Sequence, residues 1–383
     1  MLSPLAAGDW VWLNLRALDL ELGTGGVAFV VAPAPPADAV PRVPLRASHP
    51  PPADAVPSVP LAASHPPPAD AVPRASLPAA AAAALAGDRS ASGGGKTARA
   101  DSGYLVKARY TPLQVVKRGV DAPLSPHHAV LQAAESLEGM PVVVADLHSS
   151  LPAVCAALAH DADQAGAARP RVAYIMTDGA ALPLAFSRTV ARLVANGDLS
   201  ATITAGQAYG GDHEAVSAHS ALLTARHVVG ADLAICVQGP GNLGTDTRWG
   251  FSGVAVGDAV NAIATLGGRP VGCLRVSGAD PRPRHRGLSH HSLTAFGQVA
   301  LLAADLAVPV LTGPLSELGA EIAAAAQPLA DRHRLRFVGV DGLDEVLAAT
   351  PGLSTMGRDY LADPAAFLAA AAAGRLAWEL LTS

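Results

Sequence analysis

Residues 284–292 read RHRGLSHHS, two arginines and three histidines in nine positions of a 383-residue chain whose charged fraction is only 15%. Imidazoles exchange protons near neutral pH or ligate metals, and guanidinium groups grip carboxylates and phosphates through paired hydrogen bonds. Three readings compete for this stretch. In the first, His290 and His291 hold a divalent cation together with His148 and Asp146, or with Asp212. In the second, Arg282, Arg284 and Arg286 bind an anion while His285, His290 or His291 moves protons. In the third, the stretch is a solvated basic loop. Three arginines place unscreened positive charge beside any cation, so the anion reading is preferred and a metal is kept as the lesser alternative.

Other residues with usable chemistry fall in four further short segments. They are Asp146 with His148, Thr177–Gly179 containing Asp178, GQAYGGDHE with Gln207, Asp212 and His213, and GPGNLGTDTRWGFSG with Arg248. In the last of these, Gly239, Gly241 and Gly244 fit GxGxxG. A dinucleotide site needs a helix opening inside that motif and an acidic residue about 20 positions on, and neither follows, so NAD or FAD is not expected. The glycines could still admit an anion to backbone N–H groups, with Arg248 adding charge. GGDHE reads as a helix start with Asp212 as N-cap and His213 and Glu214 in the first turn. His127 and His128 are secondary candidates, and His160, His219, His227 and His333 read as structural. Neither GxSxG nor HExxH occurs, which leaves acyl transfer and zinc proteolysis of those types without support.

A scaffold must bring these segments together. From about Tyr104 the chain alternates apolar, β-branched runs with helical stretches, beginning with MPVVVADL and LPAVCAALAH and ending with LRFVGV and LDEVLAA. Seven such units predict a doubly wound, largely parallel α/β sheet covered on both faces. All of these segments except His127 and His128, which have no strand before them, then follow the carboxyl end of a strand, where open α/β sheets bind ligands. The opposite loops, such as AGAARP and LGGRP, are plain turns. The polarity is one-sided, as expected of a functional rim.

The remainder of the sequence bounds the setting. Residues 1–32 read as a small, incomplete β segment. Residues 33–102 carry PPADAV at 35, 51 and 67 and read as a disordered Pro/Ala-rich insertion, with the α/β domain at 103–383. GGGKT at 93–97 mimics a P-loop, but Ser90 stands where its first glycine belongs and no strand precedes it. A net charge of -5 gives no reason for a nucleic-acid or membrane partner. Cys155, Cys236 and Cys273 lie in apolar runs without metal-type spacing, and no secretory signal opens the chain. A cytoplasmic protein is expected.

Several motifs together are familiar: YTPLQ, SLEGMPVVVADLHSSLPAV, MTDGAALPLAFSR, TITAGQAYGGDHEAV, GPGNLGTDTRWGFSG and RPRHRGLSHHS. In these the sequence resembles the bacterial domain-of-unknown-function family 3866, from about residue 104 to the C-terminus, with LELGTGG as a further short match. The resemblance carries no assigned reaction. It implies a longer opening β segment in other members and makes the proline-rich repeat an insertion of this chain.

The residues therefore predict an enzyme, hydrolase- or transferase-like, acting on a small phosphorylated or carboxylated molecule. Arg248, Arg284 and Arg286 would hold the anion, His290 or His291 would serve as acid or base, and Asp178 or His148 would stand opposite. A binding or regulatory module that holds such a metabolite unchanged is the alternative from another class. A scaffold docking through the proline-rich segment is a third.

Overall fold

The computed structural model describes residues 11–14, 29–33, 104–109, 111 and 113–383. Beyond Pro33, the Pro/Ala-rich insertion and its GGGKT sequence lie outside the described residues, as does LELGTGG. Strands β1 (Val11–Asn14) and β2 (Phe29–Pro33) pair antiparallel, as do β3 (Tyr104–Lys107) and β4 (Val115–Arg118). A short helix α1 (His128–Ala133) leads to the main sheet.

All seven expected strand–helix units form. Their strands are β5 (Pro141–Val144), β6 (Val172–Thr177), β7 (Ala201–Thr204), β9 (Leu233–Gln238), β10 (Arg269–Cys273), β13 (Asp305–Val310) and β14 (Arg334–Gly339). An eighth, β8 (His213–Glu214), adds an edge, and the order is β14-β13-β10-β5-β9-β6-β7-β8. Every pairing in this sheet is parallel. β5 and β9 are buried along their whole length, which is why they read as unbroken apolar runs rather than as alternating ones. From β5 the chain winds outward through β6, β7 and β8. It then returns to place β9 between β5 and β6, and leaves the other way through β10, β13 and β14. The winding thus reverses around β5, β9 and β10, and a crevice opens at their carboxyl ends.

Helices α2 (Leu151–Gln164), α8 (Leu343–Ala349) and α9 (Pro364–Thr382) cover one face, and α4 (Ala218–Thr224) and α5 (Ala255–Thr265) pack on the other. α3 (Arg188–Ala195) and α7 (Ser316–Ala326) complete the connections. α9 is long and apolar enough to cross a membrane by composition alone, yet 67% of that window is buried inside the protein. It lies on α2, β5, β10 and β13 as a core helix, with Arg375 Nη2 2.8 Å from Asp161 Oδ1 of α2. Small residues permit the close approach: a Cβ on Gly374 would stand 2.5 Å from the Val154 carbonyl oxygen. The three cysteines are buried and unpaired. Burial pushes Cys236 and Cys273 up to about 12 and raises Cys155 further still.

One expectation is corrected here. Asp212 does not cap a helix, and His213 and Glu214 form edge strand β8 beside β7. The Asp212 Oδ2 accepts from the backbone N–H and the hydroxyl of Thr202, both at 2.9 Å. α4 begins later, capped by Ser217, whose Oγ accepts from Ser220 N at 3.2 Å in a reciprocal capping box. Gly-Gly at 210–211 forced the difference. A Cβ on Gly211 would lie 2.9 Å from the Thr202 carbonyl oxygen, so the chain presses close against β7 and pairs with it.

This edge is locked by Lys107, whose side chain is 2% exposed. Its Nζ reaches the carbonyl oxygens of Thr204, Ala208 and Ala215 at 3.1, 2.8 and 3.1 Å, and Glu214 Oε2 at 2.9 Å. Burial lowers the lysine pKa, against the opposing pull of Glu214. The β3–β4 hairpin is thereby fastened to the sheet through one buried ammonium. Lys107→Met strands the Glu214 charge and should destabilise the protein by roughly 3–5 kcal/mol in urea unfolding. Lys107→Met with Glu214→Leu should recover part of that loss. Equal losses in the single and double variants would show that the ion pair is not what holds the edge.

Candidate functional site

The crevice between β5, β9 and β10 collects the chemistry. Asp146 follows β5, and its carboxylate is almost fully buried. Its Oδ2 lies 3.2 Å from Arg275 Nη1, just past β10, and 3.1 Å from His291 Nδ1. Arg275 Nη1 is also 2.8 Å from His291 Nδ1. Burial pushes the Asp146 carboxyl up, but the Arg275 guanidinium and the His291 hydrogen bond outweigh it, and the net shift is downward. Gly253 makes this placement possible, because a Cβ there would come within 2.6 Å of Asp146 Cβ. From β9 and the loop after it, Gln238 Nε2 and Asn242 Nδ2 donate to the Asp146 carbonyl oxygen at 2.9 and 2.8 Å.

His291 belongs to the short helix α6 (His290–Thr294), capped by Ser289, whose Oγ accepts from His291 N. The helix runs directly into a π turn at 295–299, a feature often found beside functional sites. Before it, the hairpin of β11 (Val276–Ser277) and β12 (Gly287–Leu288) turns the basic stretch back over the crevice. His285, His290 and His291 then meet, with ring centroids 4.5–5.1 Å apart. One ligand atom from each lies within 4.8 Å of the others. His285 is held through Nδ1 by Ser289 Oγ at 2.8 Å, and Phe251 stacks on His291 at 3.7 Å. His290 Nε2 is buried without a hydrogen-bond partner. Burial first, and then neighbouring cationic groups, push His285 down to about 3 and lower His290 as well. Both are neutral at physiological pH, with lone pairs available.

The other expected residues sort into separate roles. His148 lies in an adjoining network, not in the three-histidine cluster. Its Nδ1–H donates to the Gln238 carbonyl oxygen at 3.1 Å, and its Nε2 accepts from Ser187 Oγ at 2.7 Å. Ser187 Oγ also caps α3 by accepting from Val190 N, so this hydroxyl–imidazole pair joins α3 to β9. Tyr174 sits beside it, 3.2 Å from Nδ1. Asp178 accepts from Gln207 N at 2.8 Å and closes the turn after β7. Asp212 and His213 stay at the β8 edge, where His213 meets His127 edge to face at 5.7 Å.

Of the arginines, Arg282 is bound on both sides of its fork to Asp280, with Nε–Oδ1 at 2.9 Å and Nη2–Oδ2 at 2.7 Å. Arg286 is exposed and lines a cleft of about 380 Å³ with Glu317 and Glu321. Arg248 stacks over the exposed Trp249 ring at 5.6 Å. Arg284 Nη2 contacts Asp246 Oδ1 at 2.5 Å. The glycines of GxGxxG serve chain geometry. Gly239 lies against the Ala181 carbonyl oxygen, Gly241 has φ +95°, and Gly244 bridges to Phe251.

Sequence reasoning passed over Arg275, Ser289, Phe251, Gln238 and Asn242. The one available signal was Arg275, a cation just past the apolar end of β10.

The loop is pinned from the C-terminal side by a buried ion cluster. Arg358 reaches Asp280 and Asp363, and Asp363 accepts from Ser277 Oγ at 2.5 Å and Gly278 N at 2.8 Å.

The family model described as protein of unknown function (DUF3866) matches residues 89–374. The chain belongs to the DUF3866 family. In this DUF3866 member the match covers the whole main sheet and the three-histidine loop. It begins earlier than residue 104, inside the region read as insertion, and leaves LELGTGG outside. Comparisons with curated proteins and with solved structures find no match.

Burial depresses the pKa of His148 to about 4. An imidazole is ordinarily half-protonated near pH 6.5, so the folded state binds this proton less readily than the unfolded one. The stability associated with neutral His148 is therefore complete above about pH 6.5 and is lost progressively as the pH falls towards 4, by about 3 kcal/mol in all. His148→Gln should flatten the stability–pH curve in that window by nearly one proton. An unchanged slope in denaturant titrations from pH 7 to 4 would contradict the assignment.

Proposed function

We propose that this protein is a metal-dependent enzyme, hydrolase-like, in which His285, His290 and His291 hold one divalent transition-metal ion and the substrate is a small anionic molecule. The observation that carries this reading is the convergence of three imidazoles, one of them with a buried, unpartnered Nε2. Tetrahedral zinc at ~2.1 Å brings its nitrogens to roughly 3.4 Å apart, so side-chain rotation closes the remaining gap from 4.8 Å. Three protein ligands leave a fourth position open, as catalytic rather than structural sites do. Bound there, the metal would lower the pKa of a coordinated water towards neutrality and supply a nucleophile.

The protein's own groups have definite tasks. Hydrogen bonds fix His285 and His291 through Nδ1, leaving Nε2 of each to face the ion. For His291 this requires Nδ1–H donating to Asp146. Were Nδ1 instead to accept from Arg275, the proton would move to Nε2 and block ligation. Asp146 therefore orients His291, while Arg275 keeps that carboxylate ionised. The positive charge that counted against a metal is largely neutralised within the protein, because Arg275 and Arg282 are paired with Asp146 and Asp280. A cytoplasmic setting is part of the same proposal, supported by three buried free thiols.

Equilibration with zinc or cobalt should give one ion per chain by elemental analysis, and the cobalt form should show the intense visible bands of a tetrahedral site. His290→Ala/His291→Ala should lose the ion with melting temperature shifted by only a few degrees. Asp146→Asn should weaken affinity about 10–100-fold. No stoichiometric ion in the wild-type protein would sink the proposal.

A further inference from the structure

Residues 243–252 form a small flap over the histidine cluster. Ser252 N donates to the Leu243 carbonyl oxygen at 2.9 Å, and Thr245 N to that of Gly250 at 2.6 Å. A Cβ on Gly250 would fall 2.1 Å from Thr245 Oγ1, so the threonine side chain closes over this glycine. At its foot Phe251 stacks on His291 and meets His290 edge-on at 6.0 Å. The flap tip carries Asp246, Arg248 and Trp249 into solvent.

The flap makes one ion pair with the loop beneath it, Asp246 to Arg284, and the partners are unequally placed. The Asp246 side chain is 85% exposed and that of Arg284 33%. Arg284 Nε is buried with no hydrogen-bond partner. Its neighbour Arg282 holds a buried aspartate through both Nε and Nη2, whereas Arg284 holds a solvated carboxylate through Nη2 and keeps its Nε donor unused. A half-exposed pair of this kind adds little stability, and a buried, unsatisfied donor is a cost. Arg284 directly precedes His285 in the chain, which places it next to the cluster.

We infer that Arg284 is the anion clamp of this site and that Asp246 is its exchangeable internal counter-ion, displaced from the guanidinium by a carboxylate or phosphoryl group of the substrate as the flap lifts. An incoming anion with two oxygens can take both Nη2 and the idle Nε, which Asp246 does not. Exchange costs little because Asp246 returns to water. Since Phe251 is continuous with the flap and rests on His291, occupation of the clamp is communicated to the histidine centre. The inference names the substrate class of the proposed enzyme and so rests on that reading for its catalytic meaning, but the clamp itself is testable without the metal.

Binding of inorganic phosphate and of acetate should be measured by calorimetry on the full chain, with and without zinc, at fixed low ionic strength. The two probes distinguish phosphoryl from carboxylate preference. Asp246→Asn should tighten binding of the preferred anion about ten-fold, because the internal competitor is gone, and Arg284→Gln should weaken it about ten-fold or more. Zinc stoichiometry should be unchanged in both. Binding to Asp246→Asn no tighter than to wild type overturns the inference, as does undiminished binding to Arg284→Gln. If Arg284→Gln fails to fold, the Asp246→Asn result decides alone. Should the anion effects appear while no variant or wild-type sample takes up metal, the clamp stands and the metal reading falls. Stoichiometric metal with anion binding indifferent to both substitutions gives the converse.

Discussion

A carboxylate buried at the carboxyl end of the central strand constrains everything around it. Asp146 has left water, and an isolated charge there would cost several kcal/mol. Its compensation comes from elements far apart in sequence: Arg275 after β10, His291 at the start of α6, and Gly253, which leaves space for it. The neighbouring carbonyl is tied to Gln238 and Asn242 after β9. These groups can converge only because the winding reverses here, setting β9 and β10 on either side of β5. The topology and the electrostatics are therefore one requirement, and the histidines inherit their positions from it.

The same economy explains why the basic stretch is less basic in effect than in composition. Arg275, Arg282 and Arg284 each have an aspartate partner, and Arg358 sits between Asp280, which it shares with Arg282, and Asp363. Beside these paired cations lie His285 and His290, from which burial keeps protons away. Proton chemistry and metal ligation both begin from that state. The geometry of three nitrogens sharing a small volume favours ligation.

Much of this was legible in the sequence. The seven apolar runs reported a sheet buried on both sides, and that placed Asp146, His148, Asp178 and the RHRGLSHHS stretch at one rim. Periodicity could not reveal β8, because a two-residue strand has no period, and the helix-start signal of Gly-Gly-Asp imitated a cap. Nor could linear order show which rim residues touch. His148 and Asp146 are two positions apart yet serve different networks, while Asp146 and His291 are 145 apart and share a hydrogen bond. The arginines looked free because their aspartate partners were turn residues in the same or a neighbouring loop. Pairing of that kind depends on side-chain direction, which composition does not encode.

The three cysteines have a practical corollary. Each thiol is buried, and burial raises its pKa, so almost none exists as thiolate at neutral pH. The native surface is consequently blank to maleimide reagents. A single cysteine introduced at the flap tip would be the one reactive handle on the folded molecule, and a fluorophore placed there would report the flap's position against an otherwise silent background.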